Sequence, residues 1–78
     1  MADEIQIEEM LEYLWILEEG YGKAESARMG DKFGEDITNT YLTAMVEKQL
    51  INLHDSRIVF TDSGKKRAEL IIRRHRIA

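Results

Sequence analysis

The sequence predicts a mainly helical fold with a small β-hairpin, and three observations lead to this prediction. Apolar residues recur at helical spacing over residues 6–19 and again in two shorter stretches that end before residue 50. From Leu50 to Phe60 the apolar period changes to two, which is typical of short strands. From Asp62 onward the helical period returns. The expected order is helix, helix, turn, helix, strand, strand, helix, within one domain that spans residues 1–78.

The first helix is predicted over residues 6–19, with an apolar face at the i, i+3/i+4, i+7 positions of an amphipathic helix. That face consists of Ile7, Met10, Leu11, Leu14 and Leu17. The segment Gly20-Tyr21-Gly22 is expected to end the helix, because glycine is the usual residue after a helix C-terminus. Trp15 and Ile16 widen the apolar stripe, and together with Leu11 they predict a self-association surface and hence a homodimer.

Two shorter helices follow the first. The second is predicted from about Ala24 to Phe33, and Gly34 breaks it. Its inward residues are expected to be Ala24, Ala27, Met29, Gly30 and Phe33. The third starts near Asp36, which is a good N-cap. It is expected to bury Ile37, Tyr41, Leu42 and Met45, and its other side carries Thr38, Asn39, Thr40 and Thr43.

The last third of the chain is predicted to be a hairpin followed by a capped helix. Leu50–Leu53 and Ile58–Phe60 are strand-like, and His54–Arg57 forms the loop between them. Thr61 can cap the last helix with its hydroxyl. That helix is expected to bury Ala68, Ile71 and Ile72. The whole set of elements is that of a winged helix-turn-helix.

Composition excludes several classes of protein. At 78 residues, the chain is near the lower limit at which one apolar core stabilises a fold. It has no cysteine, so neither a disulfide framework nor a thiolate zinc site is expected. Its first residues lack a signal-peptide pattern and no apolar run reaches the ~20 residues of a membrane span, so a cytoplasmic location is expected. The sequence has no glycine-rich phosphate loop, nucleophile elbow or His-Glu-x-x-His motif, so it is not expected to be an enzyme.

Charge is divided unevenly along the chain. Residues 1–39 hold eleven acidic and three basic residues, a balance of −8. Residues 40–78 hold eight basic and four acidic residues, a balance of +4. Because phosphate neutralisation depends on a local basic patch rather than on the net charge of −4, the second half can bind duplex DNA. A solvated basic helix is the simpler interpretation of this half.

The residues expected to bind DNA lie on the third helix, the hairpin loop and the last helix. Hydroxyl and amide groups on the third helix can read base edges in the major groove. An arginine in the loop can lie along the DNA backbone as a wing, and lysines on the last helix can bind phosphates. These residues are Thr38, Asn39, Thr40, Thr43, Arg57, Lys65 and Lys66, with Arg67 beside the two lysines.

A candidate metal site involves both ends of the chain. Glu9 and Glu12 are three positions apart, so both carboxylates leave the same face of the first helix. His75 ends the last helix, which in winged folds commonly packs beside the first. Two carboxylates and an imidazole suit Mn²⁺ or Fe²⁺. From spacing alone, solvated glutamates and a histidine that caps its own helix explain these residues more simply.

Nearly the whole chain resembles the diphtheria toxin repressor family, which includes the iron-dependent repressors and the manganese transport regulator. The most specific part is the segment Phe60–His75, which reads Phe-Thr-Asp-Ser-Gly-Lys-Lys-Arg-Ala-Glu-Leu-Ile-Ile-Arg-Arg-His and is similar to the family's wing-to-helix segment. The segment Glu9–Glu19 is similar to the family's opening helix. Met29–Phe33 resembles its second helix, and Leu50–Leu53 resembles its first wing strand.

The resemblance implies a metal-dependent repressor that binds specific double-stranded DNA in transcriptional regulation. In the manganese branch, two acidic residues on the first helix and the histidine that closes the last helix are metal ligands, and these positions fall on Glu9, Glu12 and His75. In the iron branch a methionine takes the first position, so this chain is more similar to the manganese type. The family continues beyond the position of Ala78 into a dimerisation domain that supplies the remaining ligands. Weak binding of Mn²⁺ or Fe²⁺ to an incomplete site is therefore expected.

Two alternatives stand beside this expectation. The first is a stand-alone winged-helix DNA binder without metal control. The second is a protein-interaction module, in which the acidic first helix or the apolar surface around Trp15 docks a partner protein and the fold does not contact DNA.

Overall fold

The computed structural model describes residues 3–21 and 24–77, with only the backbone described for residues 21, 24 and 75–77. Within this range, the prediction of a mainly helical fold with an antiparallel hairpin is confirmed. In chain order the elements are α1 (Glu4–Tyr21), β1 (Ala24–Glu25), α2 (Ser26–Phe33), α3 (Glu35–Glu47), β2 (Ile51–His54), β3 (Arg57–Phe60) and α4 (Asp62–Ile77).

Helix α1 forms the centre of the core. The five apolar residues predicted for its inner face are all buried. The helix starts earlier than predicted, because the Asp3 carboxylate accepts a hydrogen bond from the Ile5 N–H at 3.0 Å and caps the first turn. It ends at Tyr21, within the segment Gly20-Tyr21-Gly22 that was predicted to end it. No helix in the described part of the chain combines the length and the apolar character that a membrane crossing requires.

A short strand between α1 and α2 was not predicted. Strand β1 pairs with β3 in antiparallel register, Ala24 opposite Ile58 and Glu25 opposite Arg57, and the sheet order is β1-β3-β2. Helix α2 therefore starts at Ser26 rather than near Ala24. A strand of two residues has no alternation of side chains to detect, so the pattern of the sequence does not reveal it.

Helix α3 is rotated relative to its prediction. It begins at Glu35, directly after Gly34, so Asp36 lies in the first turn instead of serving as the N-cap. The inner face of α3 is formed by Thr38, Leu42 and Met45, at positions i, i+4 and i+7. Ile37, which was predicted to be buried, is 48% exposed. Because α2 and α3 are joined by one residue, the packing of α2 rather than the apolar count of α3 decides which face of α3 turns inward.

Helix α2 contributes less to the core than predicted. Met29 is fully buried and Phe33 packs partly buried against the core. Ala27 is exposed, so its predicted inward position is wrong, and the side chain of Ala24 lies outside the described residues. The Phe33 ring contacts the ring of Tyr13 on α1 in an edge-on arrangement, with centroids 5.7 Å apart.

The turn after α3 is a Schellman motif. The Leu50 N–H donates to the Met45 carbonyl at 2.9 Å, and the Gln49 N–H donates to the Val46 carbonyl at 3.0 Å. Gln49 occupies the left-handed position of the motif, with φ 61°. Glycine usually takes this position because a side chain with a Cβ is strained there.

The start of α4 is fastened to this turn. As predicted, Thr61 caps the helix, because its hydroxyl oxygen accepts a hydrogen bond from the Gly64 N–H at 3.0 Å. The same hydroxyl donates to the Gln49 carbonyl at 2.6 Å, and the Thr61 N–H donates to the Leu50 carbonyl at 3.1 Å. Gly64 lies directly against the main chain of Leu50. Further along α4, the predicted core residues Ala68, Ile71 and Ile72 are buried.

The predicted self-association surface on α1 is largely inside the domain. Leu11 is fully buried. Trp15 is partly buried against Phe60 of β3, with ring centroids 6.4 Å apart, and its ring N–H donates to the Glu19 carboxylate. Of the three residues predicted for this surface, Ile16 alone is well exposed. The alternative of a partner docking around Trp15 loses apolar surface for the same reason.

Candidate nucleic-acid interface

The exposed side of α3 carries three of the four polar residues predicted to read DNA. Asn39, Thr40 and Thr43 are all exposed. The Thr40 hydroxyl donates to the Asp36 carbonyl at 3.0 Å, and the Thr43 hydroxyl donates to the Asn39 carbonyl at 2.9 Å. Because both hydroxyl hydrogens are used within the helix, these threonines present methyl groups and acceptor oxygens outward. Asn39 is the residue on this face with a side-chain amide that can both donate and accept.

The fourth polar residue, Thr38, does not lie on this face. It is 2% exposed, and its hydroxyl donates to the Met29 carbonyl of α2 at 3.1 Å. The prediction that Thr38 contacts DNA is therefore wrong. The hydroxyl instead holds α3 against α2 and satisfies a carbonyl that is shielded from water. The same orientation of α3 that buries Thr38 leaves Ile37 exposed.

Helix α3 is acidic as well as polar. Glu35 and Asp36 lie in its first turn, Glu47 ends it, and the helix sequence contains no lysine or arginine. Carboxylates favour the N-terminus of a helix because they interact well with its dipole. They repel phosphates at the same time, so this helix adds no cation to a DNA contact. Any neutralisation of the DNA backbone has to come from other elements.

The hairpin supplies one of those cations. Arg57 is the first residue of β3, is exposed, and lies directly opposite His54 of β2. The connection between the strands has two residues, Asp55 and Ser56, and Asp55 takes a left-handed conformation with φ 57°. Aspartate tolerates that conformation better than most residues. The register places His54 beside Arg57 at the tip of the hairpin, which the loop prediction did not identify.

Some basic residues of α4 face α1, and others face solvent. Arg67 pairs with Glu4 at 2.8 Å and approaches Glu8 at 3.9 Å, and Arg74 pairs with Glu8 at 3.5 Å. These two arginines pair with carboxylates of α1, so Arg67 is less available to a phosphate than the two lysines beside it. Lys65 and Lys66 are exposed in the first turns of α4.

The two predicted metal-ligand carboxylates lie in one groove. Glu9 and Glu12 line a groove of about 520 Å³ between α1 and α2, together with Tyr13, Ile16, Lys32 and Phe33. We call this the α1–α2 groove. The Lys32 ammonium lies over the rings of Tyr13 and Phe33, 5.2 Å and 5.7 Å from their centroids. A cation is therefore already present in the groove.

The predicted metal site is not assembled among the described side chains. They contain no group of three or more His, Asp or Glu residues placed to hold an ion. The side chain of His75 lies outside the described residues, so the third predicted ligand is not placed. The two carboxylates beside a lysine do not by themselves fit a divalent cation, which prefers a fuller set of oxygen and nitrogen donors.

Comparison of the chain with family models, with curated proteins and with solved structures gives no match. The relation to the metal-dependent repressors therefore stays a resemblance of sequence.

Proposed function

We propose that the chain is a winged helix-turn-helix domain that binds double-stranded DNA in transcriptional regulation. The observation that carries the proposal is the arrangement of α2, Gly34 and α3 followed by a hairpin. Strand β1 strengthens it, because a helix, a short strand, two helices, a hairpin and a closing helix is the element order of winged helices. In such folds the second helix of the helix-turn-helix enters the major groove. Here that helix is α3.

The chemistry of the exposed α3 side suggests how bases would be read. The Asn39 amide can donate and accept at once, which matches the N6 and N7 edge of adenine. The Thr40 and Thr43 methyl groups can contact the methyl group of thymine. We therefore infer a preference for sites rich in A·T pairs at the positions under α3.

The electrostatic contribution to binding should be small. Arg57, Lys65 and Lys66 are the exposed cations proposed to contact phosphates, and α3 itself is acidic. Neutralising three phosphates gives a slope of log K against log salt concentration of about −2.7. Binding by one copy of the domain should therefore be weak and should depend less on salt than binding by a typical basic DNA-binding domain.

Fluorescence anisotropy with a labelled random duplex at several salt concentrations tests the proposal. Arg57→Ala, Lys65→Ala and Lys66→Ala should each weaken binding to all sequences and reduce the salt slope by about one unit. Asn39→Ala and Thr43→Ala should change the preference among sequences instead.

Lys32→Ala is the matched control, because it removes one positive charge from the α1–α2 groove and should leave DNA binding unchanged. Binding that survives the triple change at Arg57, Lys65 and Lys66 would rule out this surface. Absence of binding to any duplex at low salt would favour the protein-interaction module.

Control of DNA binding by Mn²⁺ or Fe²⁺ stays a separate prediction. Glu9 and Glu12 support it because they share one groove, and Lys32 in the same groove opposes it. Mn²⁺ broadens NMR signals near its binding site, so a titration should broaden signals around Glu9 and Glu12 and should do so less in His75→Ala. Equal broadening in both proteins would leave a DNA-binding domain that works without metal.

A further inference from the structure

The outer face of α4 and the α1–α2 groove each combine an exposed apolar side chain with a charged one of opposite sign. On α4, Leu70 projects into solvent with 59% of its surface exposed, and Arg73 is exposed on the same side of the helix one turn later. In the groove, Tyr13, Phe33 and the half-exposed Ile16 provide apolar surface, and the exposed Glu9 provides a carboxylate at the side of the groove away from the Tyr13–Phe33 ring pair that Lys32 covers. The α4 face therefore presents an apolar side chain beside an arginine, and the α1–α2 groove presents an apolar surface beside the Glu9 carboxylate.

We propose that this domain self-associates by placing Leu70 and Arg73 of one copy in the α1–α2 groove of a second copy. Leu70 enters the groove beside Ile16 and the Tyr13–Phe33 ring pair, and the Arg73 guanidinium approaches the Glu9 carboxylate. A few residues seated in well-packed pockets that exclude water dominate the affinity of an interface, and arginine and tyrosine are frequent among them. The charge pair fixes the orientation of the two copies.

The same kind of contact already exists inside one copy. Arg67 and Arg74 of α4 pair with Glu4 and Glu8 of α1 across the contact between these helices. Glu9 and Arg73 have no ion-pair partner among the described residues. Because Glu9 lies on the outer side of α1, and Lys66 and Arg73 outnumber Glu69 on the outer side of α4, a second copy is a partner whose charges complement both helices.

The occupant is therefore a second copy of this chain rather than an unrelated protein. The uneven division of charge, −8 in residues 1–39 and +4 in residues 40–78, gives every copy an acidic first half and a basic second half. The inference does not depend on DNA binding, since neither Leu70 nor Arg73 belongs to the residues proposed to contact DNA.

Sedimentation velocity over a range of protein concentrations, in a chelating buffer that removes divalent metal, tests the inference. The wild type should shift from monomer toward larger species as concentration rises, and added salt should weaken the shift. Glu9→Lys and Arg73→Glu should each raise the dissociation constant by roughly tenfold. The double variant Glu9→Lys/Arg73→Glu should restore association, because the two charges are exchanged rather than lost.

The apolar part of the contact has its own matched pair. Leu70→Ser should weaken association, and Leu53→Ser, which changes an exposed leucine on the hairpin, should leave it unchanged. Circular dichroism establishes that each variant is folded. A wild type that stays monomeric at all concentrations, a double variant no stronger than either single one, or equal losses from Leu70→Ser and Leu53→Ser would each overturn the proposal.

Discussion

Gly64→Ala should destabilise the domain strongly, although alanine is normally the better helix residue. Gly64 lies in the first turns of α4, where the helix passes directly over the main chain of Leu50. A methyl carbon on Gly64 would lie 2.7 Å from the Leu50 carbonyl carbon and 3.1 Å from its Cα, and closer still to the carbonyl oxygen. These are backbone atoms, which cannot rotate away as a flexible side chain can.

The size of the effect follows from three contributions. Forcing a methyl group into a packed site typically costs about 1–3 kcal/mol. The shift also strains the hydrogen bond from the Thr61 N–H to the Leu50 carbonyl, and a bond of this kind contributes about 1 kcal/mol. Alanine recovers about 1 kcal/mol of helix propensity. We expect a net loss of about 2 kcal/mol, which lowers the melting temperature of a domain this size by about 8–16 °C.

Gly20→Ala is the matched control, and thermal and urea denaturation are the assays. Gly20 also lies in a helix, but among the described residues a methyl group there would meet no atom outside its own helix within 4 Å. The same substitution should therefore be neutral or stabilising by up to about 1 kcal/mol. If the two variants melt together, or if Gly64→Ala melts with the wild type, the close approach of α4 to Leu50 is not a feature of the folded protein.

Three further predictions concern stability. Leu14→Ala should lower the free energy of unfolding, measured by urea denaturation, by about 2–5 kcal/mol because Leu14 is buried in the core. Phe33→Ala should lower it less because Phe33 is partly exposed. Equal losses would contradict this difference in burial. Thr38→Val should lower the free energy of unfolding by about 1 kcal/mol, since it removes the hydrogen bond to Met29. It should leave any DNA sequence preference unchanged. An altered preference would mean that Thr38 contacts DNA after all. Gln49→Gly should stabilise the domain by about 0.5–1 kcal/mol because it relieves the left-handed strain, and a loss of stability would mean that the glutamine side chain makes a needed contact.

The parts of the fold that are long and periodic could be predicted from sequence. Helix α1 carries its apolar pattern over four turns, so all five of its core positions were identified correctly. The start of α4 was also recognised, because a threonine hydroxyl before the helical pattern and an aspartate directly after it are local signals of a helix N-terminus. Local signals of this kind do not depend on what the rest of the chain does.

The parts that depend on packing between elements could not be predicted. On α3, Leu42 and Met45 were predicted correctly as buried, but Thr38 and Ile37 in the first turn exchanged their expected environments, because the packing of α3 against α2 decides which side of that turn faces inward. Strand β1 forms only because β3 lies beside it and pairs with it. The ion pair between Arg67 and Glu4 likewise cannot be predicted from neighbouring residues, because the two are 63 positions apart in the sequence. The candidate interface therefore kept Asn39, Thr40, Thr43, Arg57, Lys65 and Lys66 as exposed residues and lost Thr38.

The single-residue connection at Gly34 also has a mechanical consequence. A residue contributes two freely rotating backbone torsions, so α2 and α3 are joined by a joint with only two degrees of freedom. The Gly34 N–H donates to the Gly30 carbonyl and the Thr38 N–H donates to the Gly34 carbonyl, and these bonds lock the joint from both sides. Helices α2 and α3 are therefore expected to move together as one rigid unit. The tip of the hairpin is tied to the same unit, because the Ser26 N–H at the start of α2 donates to the Ser56 carbonyl at 2.8 Å and Glu25 of β1 pairs with Arg57 of β3.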